Sequence, residues 1–385
     1  MKNQEKIRRY EFDWLRVLAF SLLIFFHTGM FFVRWNWHVK NSILSPTMEL
    51  PMLFLSQWRM SLIFIISGVG VYFALGYRSA GTFALERLKR IFVPLIVGML
   101  LVVPPQVYFE RLTQGFTGSY FNFLPSVFDF EPYPKGNFSW HHLWYLAYIL
   151  VYSLLFLPLL TYLRRTSIGL QKVKGWMLLV LPALWFSFGA VLLNARFPGT
   201  NDLIHDWANH FMYTSMFLIG FLLMKFPVLQ ERIRRVRWYS LVAALVTVTV
   251  LYTLYWLKDN EATGSKLNLY FILKSCNRWF WLLAILGFAL QHLKIRSRYL
   301  PLANEMVYPF YILHQPIIVA LGYYMRNLPL VVGVKFGFIS LSTFILCFVL
   351  VRYVIMPINF LRVPFGLKAV PRPQPLQVPL VLNKV

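Results

Sequence analysis

Charged residues are scarce in this chain, and cysteine is scarcer still. Only 14% of its 385 residues are Asp, Glu, Lys or Arg, whereas 58% are hydrophobic. This composition excludes a soluble globular protein, in which about a quarter of all residues are charged. The two cysteines, Cys276 and Cys347, both lie in hydrophobic segments. They predict apolar packing rather than a disulfide framework or a metal site.

Hydrophobic runs long enough to cross a bilayer recur from end to end. About 20 apolar residues in a helix span the ~30 Å hydrocarbon core. The sequence predicts an all-α polytopic membrane protein with about ten transmembrane helices, at 13–33, 51–76, 91–109, 141–162, 174–193, 209–226, 238–257, 268–291, 301–324 and 329–355. We predict one integral-membrane domain over residues 1–356. Residues 357–385, with six prolines, predict a Pro-rich cytoplasmic tail.

Acidic residues are few beside the basic ones, with 14 Asp and Glu against 38 Lys and Arg and a net charge of +24. If the amino terminus is cytoplasmic, 24 basic residues fall in inner segments and eight in outer loops. This asymmetry predicts cytoplasmic termini in the inner, cytoplasmic membrane. The charge indicates attraction to the lipid bilayer. No nucleic-acid partner is expected, because no base-reading motif accompanies it.

The first predicted span carries three ionisable residues, Asp13, Arg16 and His27. On insertion scales a charged residue at the bilayer centre costs about 2.5–3.5 kcal/mol. Eleven helical residues turn through about 1100°, so Arg16 and His27 share one stripe and lie roughly 16 Å apart along the axis. Asp13, three residues before Arg16, falls on the same side. We expect this stripe to face other helices or a wet cavity.

Five short motifs occur in order along the chain: Arg16 with His27 eleven residues later, Arg59 followed by Phe64-Ile65-Ile66-Ser67-Gly68, Arg87-Leu88-Lys89-Arg90 leading to Pro94, His142-Leu143-Trp144-Tyr145-Leu146, and Tyr308-Pro309-Phe310-Tyr311-Ile312-Leu313-His314-Gln315-Pro316. Through them the chain resembles the acyltransferase-3 family of integral-membrane acyltransferases over residues 8–325. The segment Trp37-His38-Val39, with Asn41, is similar to the branch that includes the osmoregulated-glucan succinyltransferase.

The resemblance implies transfer of an acyl group, acetyl or succinyl, from cytoplasmic acyl-CoA to a hydroxyl of a sugar or glycan acceptor, without a tightly bound cofactor. An imidazole can take the proton of such a hydroxyl, and a general base is typically worth about 10²–10⁴ in rate. We therefore predict His27 as the base, with Arg16 and Asp13 as further catalytic residues. Direct attack of His27 on the thioester, giving an acyl-enzyme, is the alternative.

Four residues are predicted to bind the acyl-CoA donor. Arg87 and Arg90 lie one helical turn apart at the inner end of the third span and can meet its phosphates, although anchoring of the topology explains them equally well. Ser67 and Gly68 are small residues in the second span. They can let helices approach each other or leave room for the pantetheine arm.

Six residues are predicted to bind the acceptor or the acyl group: Arg59, His142, Trp144, Lys274, Arg278 and His314. Arg59, Lys274 and Arg278 are cations that suit an oxyanion or a succinyl carboxylate. His142 and Trp144 lie at the predicted outer mouth of the fourth span. His314, which precedes Gln315 and Pro316, also fits a polar residue that stabilises a helix kink.

No metal site is predicted, because no set of His, Cys, Asp and Glu has the spacing of a zinc motif. One alternative function remains beside acyl transfer. A polytopic transporter or flippase for a glycan or lipid-linked sugar would also bury charge within a bundle. The absence of an obvious internal repeat disfavours that alternative function.

Overall fold

The structure is a computed structural model that describes residues 8–167, 169–258 and 262–370. Within these ranges the chain is predominantly helical. The described residues contain no β-strand, apart from an isolated bridge between Pro132 and Phe138. The predicted all-α fold class is therefore confirmed.

The long helices follow one another along the described chain, and the longest connection lies between α3 and α4. They are α1 (Tyr10–Met30), α2 (Pro46–Ala74), α3 (Ala80–Thr113), α4 (His141–Leu155), α5 (Leu157–Arg165), α6 (Gly175–Leu193), α7 (Trp207–Lys225), α8 (Pro227–Trp256), α9 (Lys266–His292), α10 (Leu300–Met325) and α11 (Val332–Ile355). Helix α3 contains two π-helical turns, at Leu88–Phe92 and Gly98–Val102.

Eight of these helices, all except α4, α5 and α7, are long and apolar enough to cross a membrane. Helices α4 and α5, bent by 55° relative to each other, together form a ninth candidate. Helix α7 coincides with the predicted span 209–226, but Asn209 and His210 near its start lower its hydropathy. The described residues thus provide eight or nine candidate spans where the sequence predicts ten. The protein is a multi-pass membrane protein.

Helices α2 and α7 cross with their backbones in direct contact. A Cβ atom on Gly68 would lie 1.9 Å from the carbonyl oxygen of Phe217, and one on Gly220 would lie 2.0 Å from that of Ile65. Glycine at both positions lets the two helices approach this closely. Gly68 therefore faces α7, which agrees with the first of its two predicted roles, the close approach of helices, and it is not among the residues that line the cavity described below.

The loop between α1 and α2 is anchored at several points. The hydroxyl of Ser45 accepts a hydrogen bond from the backbone N–H of Met48, and Pro46 occupies the first turn of α2. Lys335 of α11 is only 1% exposed and donates to Oδ1 of Asn41 at 2.7 Å. These contacts hold His38, which lies in the same loop, against the bundle.

Residues 357–370 fold back onto the bundle. After a short helix, Asn359–Arg362, the Arg362 guanidinium donates to Glu305 of α10 at 2.7 Å and to the carbonyl of Lys368 at 2.6 Å. This arrangement brings Lys368 to the same end of the bundle as the start of α1. The remainder of the predicted tail, 371–385, lies outside the described residues.

Candidate active site

Helix α10 has a backbone carbonyl that its own sequence leaves without a helical partner. Pro316 lacks an N–H, so the carbonyl of Ile312, four residues earlier, cannot form the usual helical hydrogen bond. His142 at the start of α4 takes this position, with Nε2 2.9 Å from the carbonyl oxygen. A carbonyl only accepts, so Nε2 of His142 carries the proton and Nδ1 accepts from the Gln106 amide at 3.3 Å.

The His27 ring lies against the His314 ring, with Nδ1 of His27 2.8 Å from Nε2 of His314. His314 Nδ1 lies 2.7 Å from the carbonyl oxygen of Tyr311. Since that oxygen only accepts, a neutral His314 carries its proton on Nδ1 and presents a lone pair on Nε2. His27 must then donate from its own Nδ1. In this neutral pair the lone pair on Nε2 of His27 is available to take a proton.

Arg59 of α2 is a buried cation beside this pair. It is 5% exposed, its guanidinium carbon lies 3.5 Å from the centroid of the Phe26 ring, and it interacts electrostatically with His27 and His314. Its Nε and Nη1 find no hydrogen-bond partner within the described chain. Leaving a buried donor without an acceptor costs about 1–3 kcal/mol, and more when it is charged. The position therefore suits a group that develops negative charge next to His27.

A cavity of about 660 Å³ lies at the end of the bundle where α1 begins. Its wall combines charged, hydroxyl and aromatic side chains from α1, α2, α3, α4, α10 and the carboxy-terminal segment: Asp13, Arg16, Phe20, Ser67, Arg87, Arg90, Tyr145, Tyr308 and Lys368. This volume is in the usual range for a site that binds a small molecule or cofactor.

Three aromatic rings separate this cavity from the histidine pair, and we refer to Phe20, Tyr145 and Tyr311 as the aromatic partition. Their ring centroids lie 5.6–6.4 Å apart. On the cavity side, the Tyr145 hydroxyl is 2.5 Å from Oγ of Ser67. On the other side, the Tyr311 ring centroid is 6.0 Å from that of His314. The cavity therefore ends one layer of rings away from the histidines.

Most of the predicted site residues fall into two groups on either side of this partition. Arg16, Asp13, Ser67, Arg87 and Arg90 line the cavity. The predicted catalytic group is not brought together, because the helix rise keeps both Asp13 and Arg16 away from His27. The carboxylate of Asp13 instead accepts from Nε of its near neighbour Arg8, at 2.6 Å.

The second group surrounds His27 and consists of Arg59, His142 and His314. Both ring nitrogens of His142 are already hydrogen-bonded within the protein, and the residue is only 5% exposed. His142 thus lies at the start of α4, where the sequence predicts it, but its ring points into the bundle and packs against His314. His314 contacts His27 directly. A polar residue that only stabilised a helix kink would not need this contact.

The remaining predicted acceptor residues lie on the α9 side of Arg59. Arg278 donates from Nε to the carbonyl of Gln57 at 2.6 Å. Lys274, one turn earlier, lies 4.9 Å from the centroid of the Tyr270 ring. Trp144 is half-buried, and its ring centroid is 5.1 Å from that of Tyr148 and 5.6 Å from that of Tyr213. Trp144 is therefore part of an aromatic cluster.

Sequence reasoning did not single out four residues that connect to this site. The Gln315 amide donates to Oε1 of Gln106 at 3.0 Å, and its Nε2 lies 3.1 Å from Nε2 of His38. Nδ1 of His38 is in turn 2.8 Å from Oε2 of Glu110. His38 and Gln315 occur within the quoted motifs, but only the fold shows that these four side chains form a continuous network.

Comparison with known proteins now identifies the family. A family model described as an acyltransferase domain matches residues 9–352. The chain belongs to this family, acyltransferase-3. The predicted resemblance is thereby confirmed, and membership supports acyltransferase activity for this membrane protein.

Several curated relatives of this chain are named Glucans biosynthesis protein C. Those from Shigella dysenteriae serotype 1 (strain Sd197) and Escherichia coli (strain SMS-3-5 / SECEC) are 24% identical over 258 residues, covering 63% of this chain and 66% of the relative. That from Salmonella paratyphi B (strain ATCC BAA-1250 / SPB7) is 22% identical over 238 residues, covering 58% and 60%. The matched region thus spans slightly less than two thirds of these relatives. No solved structure matches the chain.

Proposed function

We propose that this protein is a membrane-bound O-acyltransferase of the inner membrane, with both termini in the cytoplasm. It takes an acyl group from cytoplasmic acyl-CoA and transfers it to a hydroxyl of a glycan on the opposite side. The name of its relatives, which concerns glucan biosynthesis, supports a glucan acceptor. The charge asymmetry between inner and outer segments supports the orientation.

The free lone pair on Nε2 of His27 is the observation that carries this proposal. As the acceptor oxygen attacks the thioester carbonyl, a C–O bond forms and Nε2 takes the hydroxyl proton. The unpartnered N–H groups of Arg59 stabilise the oxyanion. When the C–S bond breaks, His27 returns the proton to the leaving thiolate, so the products are an ester and free CoA.

His314 is a positioning residue in this scheme. By accepting from Nδ1 of His27 it holds the tautomer in which Nε2 is basic. The same tautomer also suits direct attack of Nε2 on the thioester, which would give an acyl-His27 intermediate. Rapid-quench trapping distinguishes the two routes. An acylated His27 that forms before product supports the nucleophilic route, and its absence supports general-base catalysis.

The cavity at the inner end of the bundle is the proposed donor site. Arg87 and Arg90 bind the phosphates of CoA, and Lys368 adds a cation to the same wall. The pantetheine arm lies along Ser67 and crosses the aromatic partition to bring the thioester to His27. Arg16, at the inner end of the His27 stripe, contacts the donor rather than the reacting atoms.

The cations beyond Arg59 support a donor with a free carboxylate, such as succinyl. Arg278 and Arg59 both interact electrostatically with Tyr213, and Lys274 interacts with Arg278, so positive charge continues from His27 along α9. A succinyl carboxylate would reach this row when its thioester lies at His27. Equal rates with acetyl-CoA and succinyl-CoA in proteoliposomes would exclude this preference.

The decisive experiment is glucan acylation by purified His27→Ala in proteoliposomes, followed by mass spectrometry of the glucan. Loss of the base should lower the rate by about 10²–10⁴-fold. His292→Ala, at the exposed end of α9, is the matched control and should retain activity. Full activity of His27→Ala would refute the proposal.

The transporter alternative requires a second measurement in cells that carry these variants. An acyltransferase with His27→Ala still lets the acceptor reach the outer side, but without the acyl group. A transporter with the same variant fails to deliver the acceptor. Unmodified glucan at normal outer levels supports the enzyme, and its disappearance supports transport.

A further inference from the structure

Three potential metal ligands from separate segments meet beside the active-site network. They are His38 in the loop after α1, Glu110 near the end of α3 and His141 at the start of α4. One ligand atom from each lies within 4.8 Å of the other two. We refer to these three residues as the outer ligand cluster. Because the ligands come from distant parts of the chain, no zinc-like spacing reveals them in the sequence.

Glu110 supplies the negative charge of this cluster. Its carboxylate accepts from Nδ1 of His38 at 2.8 Å, from the Tyr133 hydroxyl at 2.7 Å and from the Gln114 amide at 3.3 Å. Burial and the bond to Glu110 raise the pKa of Tyr133, which therefore remains a donor. Arg111, the next residue, directs its hydrogen bonds to Gln114 and to the neighbouring loop rather than to Glu110. Glu110 is thus a buried carboxylate held by three hydrogen-bond donors.

His141 presents an unused ring nitrogen. Its Nδ1 lies 2.7 Å from the Ser139 hydroxyl, while its Nε2 is buried and has no partner within the described chain. The backbone φ of His141 is +40°, a conformation that non-glycine residues seldom adopt and that clusters at functional sites. The ring stacks on His38, with a centroid distance of 4.3 Å. A strained backbone therefore holds an unsatisfied imidazole nitrogen next to the other two ligands.

We propose that the outer ligand cluster binds Zn²⁺ through His38, Glu110 and His141. Two imidazoles and one carboxylate form a known zinc donor set and leave a fourth position for water. Tetrahedral bonds of about 2.0–2.1 Å place donor atoms roughly 3.3 Å apart. The ligand atoms, now within 4.8 Å of one another, reach that spacing by shifts of about 1 Å together with rotation of the two stacked imidazole rings, so that both lone pairs point at the metal.

Binding leaves the net protonation of the cluster unchanged. The proton on Nδ1 of His38 moves to Nε2, so that Nδ1 becomes a ligand and the ring stays neutral. The Gln315 amide, now 3.1 Å from Nε2, rotates to accept that proton through its oxygen, and in doing so it gives up its hydrogen bond to Oε1 of Gln106. Because Gln315 directly follows His314, the metal joins three outer segments to the helix that positions His27.

The test is metal binding by the purified full chain in lipid nanodiscs, stripped with EDTA and then titrated with Zn²⁺. Wild type should retain one zinc per chain after gel filtration. It should also show the absorption bands of tetrahedral Co²⁺ when cobalt replaces zinc. Loss of an outer-shell partner typically weakens a metal site by about 10–100-fold. Glu110→Gln removes the carboxylate ligand but keeps the shape of the side chain. It should therefore weaken zinc binding by at least about 10–100-fold.

His205→Ala is the matched control, because His205 is an exposed histidine paired with Asp202 in another loop. It should bind zinc like wild type, and His141→Ala should bind it no better than Glu110→Gln. A zinc-dependent rise in the Tm of wild type, absent from Glu110→Gln, would support the site. Zinc binding that survives Glu110→Gln, or that wild type lacks, would overturn it. These readouts do not depend on acyl transfer, so they stand apart from the proposed function.

Discussion

The His27–His314 hydrogen bond allows a graded prediction, because different side chains at position 314 impose different protonation states on His27. His314→Ala removes the acceptor for Nδ1 of His27 and leaves a buried N–H without a partner. That loss costs about 1–3 kcal/mol. A factor of ten in rate corresponds to about 1.4 kcal/mol, so acylation should fall about 5- to 150-fold.

Two further substitutions separate positioning from packing. In His314→Gln the amide oxygen can accept from Nδ1 of His27, and we expect activity within about tenfold of wild type. In His314→Lys only donors face His27, so its proton must move to Nε2 and the base is lost. A catalytic histidine held in the wrong tautomer loses about 10⁴-fold in a serine protease, and we expect a loss of at least about 10³-fold here.

The assay is the initial rate of glucan acylation in proteoliposomes over a range of acyl-CoA concentrations. All three variants should keep the KM for acyl-CoA, because the proposed donor cavity lies beyond the aromatic partition. If the residue at position 314 sets the tautomer of His27, activity should decrease in the order His314→Gln, His314→Ala, His314→Lys. If His314→Gln were as inactive as His27→Ala while equally well folded, or if His314→Ala were fully active, the hydrogen-bond argument would be refuted.

Two other predictions concern the donor site and the helix packing. The double variant Arg87→Gln with Arg90→Gln should raise the KM for acyl-CoA more than it lowers kcat, and wild type assayed with dephospho-CoA thioesters should show the same change. Gly220→Ala should destabilise the fold by about 1–3 kcal/mol, because its Cβ would lie 2.0 Å from a carbonyl oxygen of α2. Gly337→Ala meets nothing within 4 Å and should melt like wild type. Equal melting temperatures for the two glycine variants would contradict the close crossing.

The sequence predicts the helices well, because hydrophobic runs and helical periodicity are local properties. Each predicted span corresponds to a helix or to the bent pair α4 and α5. The stripe of Arg16 and His27 does face the interior, since Arg16 lines the cavity and His27 packs on His314. Periodicity is sufficient to place two residues on one face of one helix.

Periodicity is not sufficient to show which partners those residues meet. The pairing of His27 with His314 depends on how α1 packs on α10. The orientation of the His142 ring depends on its hydrogen bond to the carbonyl of Ile312, which Pro316 leaves without a helical partner. Gly68 illustrates the same limit, since a small residue permits close approach without revealing the neighbouring helix. The outer ligand cluster joins three loops and helix ends, so its geometry exists only in the folded chain.

The aromatic partition lies between polar groups at two depths of the bundle, those that line the cavity and those around His27. An open polar channel from Arg16 to His27 would let water and ions cross, whereas the rings of Phe20, Tyr145 and Tyr311 close the path between them. A pantetheine arm is narrow and can pass when these aromatic side chains rotate. A hydrated ion would lose its water shell between the rings, which costs free energy. In the proposed function, the partition lets a thioester reach His27 from the donor side and separates the two aqueous compartments when no donor is bound.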